Sequence, residues 1–245
     1  MRNWREEKEK RVVFIRDMLA RSGAKGVIFG NSGGKDSALV AALCSAACDN
    51  VLGVMMPCAS KRNFGEDLED AKKVAEKYGV PTLTVDLTGV REALLSSLGV
   101  SLEKNSALAN IAPRLRMTTL YALGAEKGYL VAGTGNKSER YMGYFTKFGD
   151  GGCDFNPIAD LTANEVFEFL SYLGAPEHVI MKAPSAGLFE GQTDEKEMGV
   201  TYKEIDAYMA GEPVSEEAEA IIKRYHAASL HKMTMPAVYE EDKDV

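Results

Sequence analysis

A carboxylate, two hydroxyls and a pair of glycines lie together in the stretch Gly30, Asn31, Ser32, Gly33, Gly34, Lys35, Asp36, Ser37. An apolar run at residues 26–29, short enough for a buried strand, precedes this stretch, and an Ala- and Leu-rich segment typical of a helix follows it. A strand that turns into a helix in this way directs several backbone N–H groups at one point, where the helix dipole adds positive charge. The sequence therefore predicts that these eight residues bind phosphate.

The spacing within the stretch decides which kind of phosphate loop it is. A Walker A loop needs a glycine five positions before its Gly-Lys pair and Ser or Thr directly after that pair. Phe29 and Asp36 occupy those two positions, so the sequence excludes a Walker A loop. The pattern Ser-Gly-Gly-x-Asp-Ser after a strand resembles instead the pyrophosphate loop of ATP pyrophosphatases, which split ATP between the α and β phosphates. In that case Ser32 and Ser37 would hold the leaving phosphates, and Asp36 would ligate the accompanying magnesium.

The composition limits the class of protein. The chain has 245 residues, 45% of them hydrophobic, and a formal net charge of −7. This charge argues against a protein that coats nucleic acid, which would need clustered Lys and Arg. The four cysteines form no Cys-x-x-Cys pair, the first residues are charged where a signal peptide would be apolar, and no run is long enough to span a membrane. We expect a cytoplasmic protein with neither nucleic acid nor membrane as a partner.

Four apolar runs predict the strands of the fold. They lie at residues 26–29, 51–56, 81–87 and 129–133, and helical segments separate them. Because the runs are apolar throughout, they favour an α/β fold with a doubly wound, mainly parallel sheet covered by helices on both faces. We expect residues 1–245 to form one domain. Since ligands bind at the carboxyl ends of parallel strands, the segments that follow these runs should meet at one cleft.

Three later segments could contribute to this cleft. Residues 133–139 contain Gly-x-Gly but lack the third glycine of a dinucleotide-binding fingerprint, so a hydride-transfer enzyme is not indicated. Glu139 in this segment is either a second magnesium ligand or a solvated glutamate at a helix start. Residues 141–154, rich in aromatics and glycine, form either a ligand-binding loop or a rigid connector with Tyr144 and Phe148 in the core. Residues 184–195 should form a mobile flap over the cleft.

Several separate stretches together resemble the NAD synthetase family, in the expected order along nearly the whole chain. The most specific is Phe-Thr-Lys-x-Gly-Asp-Gly-Gly at residues 145–152, since other ATP pyrophosphatases share the first loop but not this block. The other matching stretches are the phosphate loop, Met56-Pro57, residues 114–117 with Tyr121, residues 133–139, residues 184–186 with residues 191–194, and His231-Lys232.

The resemblance implies an ATP-dependent amidation. The carboxylate of deamido-NAD would attack the α phosphorus of ATP, and ammonia would displace AMP from the adenylate to give NAD. Adenylation makes chemical sense because a carboxylate oxygen is a poor leaving group. The same resemblance implies roles for individual residues. Asp36 and Glu139 would be Mg²⁺ ligands, Thr134 and Ser185 would contact ATP, and Asp36 and Lys147 would be catalytic groups. The residues expected to contact deamido-NAD are Arg114, Lys147, Asp154, His231 and Lys232.

Three further expectations follow from the resemblance. The segment before the phosphate loop is too short for the amidase domain of glutamine-dependent members, so ammonia should be the nitrogen source. A homodimer is implied, with the helix that carries Arg114 and Tyr121 as a candidate interface element. Ala163 stands where family members often carry a basic residue, so that nucleotide contact is absent or supplied elsewhere.

Two other classes of function remain open from the residues. The first is another ATP pyrophosphatase, either a GMP synthetase-like subunit or a tRNA-modifying enzyme. The acidic charge and the absence of Cys-x-x-Cys speak against the tRNA-thiolating enzymes, and the block at residues 143–152 speaks against all of these alternatives. The second is an adenine-nucleotide sensor that binds without turnover, which the presence of Asp36, Glu139 and Lys147 disfavours. Formation of AMP and pyrophosphate would exclude the sensor.

Overall fold

The structure is a computed structural model and describes residues 2–60, 64–180 and 193–239. Its centre is a parallel sheet of four strands in the order β3-β2-β1-β4. The strands are β1 (Gly26–Gly30), β2 (Val51–Met55), β3 (Thr82–Thr84) and β4 (Tyr129–Ala132). The predicted α/β fold class is confirmed, and the four strands lie within the four apolar runs or end next to them.

Helices connect and cover the strands. In chain order, the described helices are α1 (Trp4–Ser22), α2 (Lys35–Ala47), α3 (Glu66–Tyr78), α4 (Thr88–Ser97), α5 (Asn105–Ala109), α6 (Ile111–Lys127), α7 (Lys137–Met142), α8 (Ala163–Tyr172), α9 (Glu177–Ile180), α10 (Asp194–Met198), α11 (Tyr202–Met209) and α12 (Glu216–Ser229), followed by a 3₁₀ turn at Leu230–Lys232. Among these helices, none is long and apolar enough to cross a membrane.

The sheet is apolar on both faces, as its continuous hydrophobic runs predict. Val27 and Phe29 of β1 pack with α1, α2 and α8 on one face, whereas Ile28 packs with α6 on the other. Because neighbouring residues of a strand point to opposite faces, a strand with helices on both sides has no place for polar side chains. This burial fixes the carboxyl end of β1, from which the phosphate loop continues.

Some boundaries differ from those predicted. β3 covers only residues 82–84 of the predicted 81–87, and its side chains are exposed because it is the edge strand. The helical segment before β4 consists of two helices, α5 and α6, which are separated at Asn110. Pro113 lies in the first turn of α6, where its missing N–H costs no hydrogen bond. Gly65 is the N-cap residue of α3, where the sequence offers Asn63 as a candidate cap; Asn63 lies outside the described residues. Of the predicted flap, residues 184–192 also lie outside them.

An ion-pair network fastens α1 to the loop before α8. Arg11 is only 7% exposed; it donates to Glu7 and, at 2.8 Å, to both carboxylate oxygens of Asp160. Arg2 donates to Asp160 at 2.8 Å and to Glu165 at 2.7 Å. Burial alone would raise the pKa values of Glu7 and Asp160, but the hydrogen bonds and charges of the two arginines lower them below the ordinary range.

We expect this network to make the fold sensitive to acid. A carboxyl group whose pKa is lowered by folding stabilises the protein above its unfolded pKa, and this stabilisation is lost as the pH falls through the folded-state pKa. Asp160→Asn should therefore lower the free energy of unfolding at pH 7 by about 1 kcal/mol. In this variant the free energy of unfolding should also fall less steeply as the pH drops below about 4. Urea unfolding followed by circular dichroism from pH 7 to pH 3 measures both effects.

Asp17→Asn is the matched control for this prediction. Asp17 lies in an exposed pair with Arg21, 3.5 Å away, on the same helix α1, and we expect a change of less than about 0.5 kcal/mol. Two results would contradict the stabilising role of Asp160. One is an equal loss of stability in the two variants, and the other is a native decline of stability with falling pH in Asp160→Asn.

Candidate active site

The loop between β1 and α2 has the geometry of a phosphate cradle. Ser32 Oγ lies 3.2 Å from Ser37 Oγ and accepts from the Gly34 amide at 3.2 Å. Ser37 Oγ donates to the Gly34 carbonyl at 2.9 Å. Gly33 adopts φ +76°, a conformation that L side chains rarely adopt. The turn thus leads into the first turn of α2, whose backbone amides have no acceptor within the helix.

Asp36 is held by the segment that follows β4. Asn136, fully buried, donates from Nδ2 to Asp36 Oδ1 at 3.0 Å. Asn136 also caps α7: its side chain accepts from the Glu139 amide, and Glu139 Oε2 accepts from the Asn136 amide at 2.9 Å. This capping box fixes the orientation of Glu139 relative to Asp36. The two predicted magnesium ligands are therefore connected through one asparagine.

Negative charge accumulates around these two carboxylates. Burial raises the pKa of Glu139 well above its ordinary value, and the charge of Asp36 raises it further. Asp194, which is 3% exposed, adds a third carboxylate and accepts from the Tyr202 hydroxyl at 3.0 Å. Lys35 supplies a positive charge, with Nζ 2.5 Å from Asp36 Oδ2. The positive charge of Lys35 thus interacts electrostatically with the carboxylates of Asp36, Glu139 and Asp194.

The donor set fits a magnesium ion that shares its coordination with a nucleotide. Among the described residues, no three His, Cys, Asp or Glu side chains are grouped so that they could hold a metal by themselves. Mg²⁺ is commonly bound through one or two carboxylates, with water and substrate phosphates completing its octahedron. Asp36 and Glu139 supply those two carboxylates, and the excess negative charge beside them is what a divalent cation would offset.

The loop opens into a cavity of about 680 Å³. The ends of β1, β2 and β4 form its floor, and Gly30, Asn31, Ser32, Gly34, Lys35, Asp36, Ser37, Thr134 and Glu139 all line it. The volume lies in the range of small-molecule sites, and its position at the carboxyl ends of parallel strands is where such folds bind ligands. Gly33 alone of the eight predicted loop residues does not line it, because its Cα faces the backbone of α3.

Residues 143–152 form one wall of this cavity. Gly143, Tyr144, Phe145, Thr146, Gly149, Asp150 and Gly152 line it. The alternative expectation that Phe148 is a core residue is wrong, since Phe148 is 57% exposed and has φ +59°. Tyr144 is partly buried and donates to Glu197 of α10 at 2.6 Å.

Two lysines join this wall to the segment that follows α12. Lys232 Nζ donates to the carbonyls of Gly143 at 2.7 Å and Phe145 at 2.8 Å. Lys147 Nζ, on the wall, donates in the opposite direction to the carbonyl of His231 at 2.6 Å. Lys232 lines the cavity, whereas Lys147 and His231 do not. The pKa of Lys232 is lowered by burial, although the charge of Asp150 counteracts the effect.

Four of the five predicted deamido-NAD contacts lie outside the cavity. Arg114 is exposed on α6, and Asp154 accepts from the Tyr121 hydroxyl at 3.1 Å and from the Val131 amide at 2.7 Å. Lys147 and His231 bond to each other as described. Ser185, a predicted ATP contact, lies outside the described residues. Among the described residues, the cavity therefore contains the predicted metal ligands, the predicted ATP contacts except Gly33, and Lys232. Lys147 and His231 bond to each other beside Lys232 without lining the cavity, and Arg114 and Asp154 are exposed.

The cavity also contains residues that the sequence analysis did not select. Arg116 lines it and donates from Nε to the Met56 carbonyl at 3.1 Å. Helical periodicity could have found it, because Pro113, Arg116, Met117 and Leu120 share the cavity face of α6. The capping-box spacing could have found Asn136. Asp194 ends the matching stretch at residues 191–194, but no motif assigned it a role, and it reaches the cavity through the packing of α10.

Arg116 and Arg114 should have separable effects when each is replaced by Met. Arg116→Met removes a guanidinium from the cavity beside the phosphate loop, so we expect ATP to bind about tenfold more weakly. Arg114→Met, two residues away on the exposed face, is the matched control and should leave ATP binding within about twofold. Equilibrium titration with a non-hydrolysable ATP analogue measures this difference. An equal loss in both variants would contradict the assignment of the two helix faces.

Comparisons with known proteins identify the family of this chain. The family model described as NAD synthase matches residues 7–240. A curated NH(3)-dependent NAD(+) synthetase of Carboxydothermus hydrogenoformans is 49% identical over 240 residues, which are 96% of this chain and 98% of that protein.

Two solved structures are similar over nearly the whole fold. The NMN synthetase from Francisella tularensis has a TM-score of 0.94 at 38% identity, covering 98% of this chain and 100% of that one. The NH3-dependent NAD synthetase from Campylobacter jejuni in complex with the nitrate ion has a TM-score of 0.81 at 30% identity, with the same coverage. The family model and the 49% identical relative, each of which covers nearly the whole chain, show that this chain belongs to the NAD synthase family.

Proposed function

We propose that this chain is a ligase that amidates deamido-NAD with ammonia at the expense of ATP, giving NAD, AMP and pyrophosphate. The observation that carries the proposal is the junction of the Ser-Gly-Gly-Lys-Asp-Ser loop with Glu139 in one cavity. A pyrophosphate loop facing two carboxylates suits cleavage of ATP between its α and β phosphates. The curated relative described above is named for the NH(3)-dependent reaction.

The residues of the cavity have different roles in the proposed adenylation. The amides at the start of α2 and the hydroxyls of Ser32 and Ser37 hold the β and γ phosphates, and Thr134, which also lines the cavity, contacts the nucleotide. Asp36 and Glu139 would hold Mg²⁺, which when bound would neutralise negative charge on the phosphates. The nicotinate carboxylate attacks the α phosphorus, and the acyl adenylate then loses AMP to ammonia. Lys232, fixed to the wall at residues 143–152, supplies positive charge toward the acceptor.

The residues outside the cavity are best explained by a homodimer. Arg114 and Asp154 lie on the surface near α6, and α4 exposes Val90 and Leu94, 51% and 40% accessible. Exposed apolar side chains grouped on one face commonly mark an interface. We propose that two copies meet there and that Arg114, Lys147, Asp154 and His231 hold deamido-NAD at the subunit boundary. Sedimentation equilibrium should give twice the chain mass, and a monomer at all concentrations would oppose this arrangement.

A second candidate reaction has a specific observation in its favour. The structure with a TM-score of 0.94 is named an NMN synthetase. Its name points to an acceptor that lacks the adenylyl half of deamido-NAD, namely nicotinate mononucleotide. The chemistry at the carboxylate would be the same, and only the recognition of the distal half would differ.

Product analysis with purified protein tests both reactions. ATP and Mg²⁺ are supplied with either deamido-NAD or nicotinate mononucleotide, and with either ammonium or glutamine. NAD formed from ammonium together with an equal amount of AMP supports the proposal. A higher kcat/KM with the mononucleotide supports the second candidate. AMP without either amide would indicate a different acceptor, and no AMP at all would favour a nucleotide sensor.

A further inference from the structure

Lys35 does not project from the phosphate loop into solvent but folds back into the protein. Its side chain is almost completely buried, and Nζ lies 2.5 Å from Asp36 Oδ2. The rings of Phe167 and Tyr202 flank the ammonium, each with its centroid 5.6 Å from Nζ. Aromatic faces attract a desolvated cation. The ammonium is thus held in place by one carboxylate and two rings.

The charge balance explains why this position needs a cation. Asp36, Glu139 and Asp194 all act electrostatically on Lys35. Buried carboxylates are costly unless they are paired. Without Lys35, the metal-free protein would hold three neighbouring carboxylates and would lack the cation that now acts on all of them.

The same contact limits the access of a metal to Asp36. Oδ1 of Asp36 accepts from Asn136, and Oδ2 accepts from Lys35. A divalent cation that is to bind Oδ2 must separate this oxygen from the ammonium or share it. It must also approach a fixed positive charge, which repels it. Lys35 therefore opposes metal binding while it stabilises the metal-free site.

We propose that Lys35 is a built-in counter-ion of the metal site, which occupies Asp36 in the metal-free protein and yields that carboxylate when the divalent cation binds with the nucleotide. The inference rests on the proposed role of Asp36 and Glu139 as metal ligands. It assigns to the unspecified position of the Ser-Gly-Gly-x-Asp-Ser pattern a function in setting metal affinity.

Replacement of Lys35 by Met tests the proposal, because Met retains the long apolar stem without the charge. We expect Mn²⁺ to bind about tenfold more tightly in the presence of α,β-methylene-ATP, as measured by electron paramagnetic resonance of free Mn²⁺. In chelator, the variant should melt at a lower temperature than the native protein, and the rise in Tm on addition of Mg²⁺ should be larger.

Two further variants complete the comparison. Lys72→Met, at an exposed lysine 2.7 Å from Glu69 Oε1, should leave Mn²⁺ affinity unchanged. Lys35→Arg keeps the charge and should not tighten Mn²⁺ binding. Weaker or unaltered Mn²⁺ affinity in Lys35→Met would overturn the counter-ion role. If Lys35→Met does not fold, Lys35→Gln replaces it in the same measurement.

The metal site itself is checked by Glu139→Gln in the native background. If this change leaves Mn²⁺ affinity as it was, the proposed ligand set is wrong and the counter-ion role falls with it. If Glu139→Gln weakens Mn²⁺ binding but Lys35→Met does not strengthen it, the proposed function stands and only the role of Lys35 is refuted.

Discussion

Replacement of Asp36 by Asn should reduce ATP consumption at saturating substrate by on the order of a hundredfold, with little change in the fold. Asn keeps the shape of the side chain and an oxygen that can accept from Asn136, whose Nδ2 lies 3.0 Å from Asp36 Oδ1. It removes the charge that would neutralise Mg²⁺ and that now pairs with Lys35. The loss should be accompanied by a higher Mg²⁺ concentration for half-maximal turnover.

Asp49→Asn is the matched control for this variant. Asp49 follows the carboxyl-terminal end of the same helix α2 and is exposed. Its replacement should leave turnover and Mg²⁺ dependence within about twofold of the native values. The measurement is AMP release across a Mg²⁺ titration, with circular dichroism to confirm that both variants are folded. Native turnover of Asp36→Asn at every Mg²⁺ concentration would remove Asp36 from the metal site.

Replacement of Gly33 by Ala should have the largest effect on stability. A Cβ at this position would lie 2.5 Å from the Asp67 carbonyl oxygen and 2.8 Å from the Ala71 amide nitrogen. Both atoms belong to the backbone of α3, so no side-chain rotation can relieve the overlap. The positive φ of Gly33 adds conformational strain. We expect the free energy of unfolding to fall by about 3 kcal/mol.

Gly23→Ala separates the strain from the overlap. Gly23 has φ +70°, close to the +76° of Gly33, but a Cβ added there would meet no atom of the described residues within 4 Å beyond its chain neighbours. The control should therefore lose only about 1 kcal/mol. Urea unfolding of the two variants, with titration of α,β-methylene-ATP, measures stability and loop function together. Equal stability losses would show that α3 moves aside without cost, contrary to the packing described.

The site was predictable where the signal is local in sequence. The Ser-Gly-Gly-x-Asp-Ser pattern identified the loop because a strand, a tight turn and a helix start must be adjacent in the chain. Glu139 could be chosen because the segment after β4 ends at the same edge of the sheet. The cavity face of α6 was predictable in principle as well, because Pro113, Arg116 and Leu120 follow the helical period, but the resemblance alone selected Arg114.

The remaining features depend on contacts between distant segments. Whether Phe148 was core or surface could not be read from a loop without periodicity. In the structure it is 57% exposed, in a turn in which the Gly149 amide donates to the Thr146 carbonyl at 2.9 Å. The sequence likewise predicted Lys35 as an ATP contact, whereas the structure places its ammonium between Phe167 and Tyr202. Those rings lie on α8 and α11, more than a hundred residues away along the chain.

Sequence alone thus determined the parallel sheet, the phosphate loop and the family. Apolar runs, glycines at a turn and contiguous motifs can each be recognised within a few neighbouring residues. Tertiary structure alone decided how charge is balanced in the site. Asp36, Glu139, Asp194 and Lys35 come from three separate segments, and only packing brings them together. The energy of a buried charge depends on its neighbours in space, and these are not specified by its neighbours in sequence.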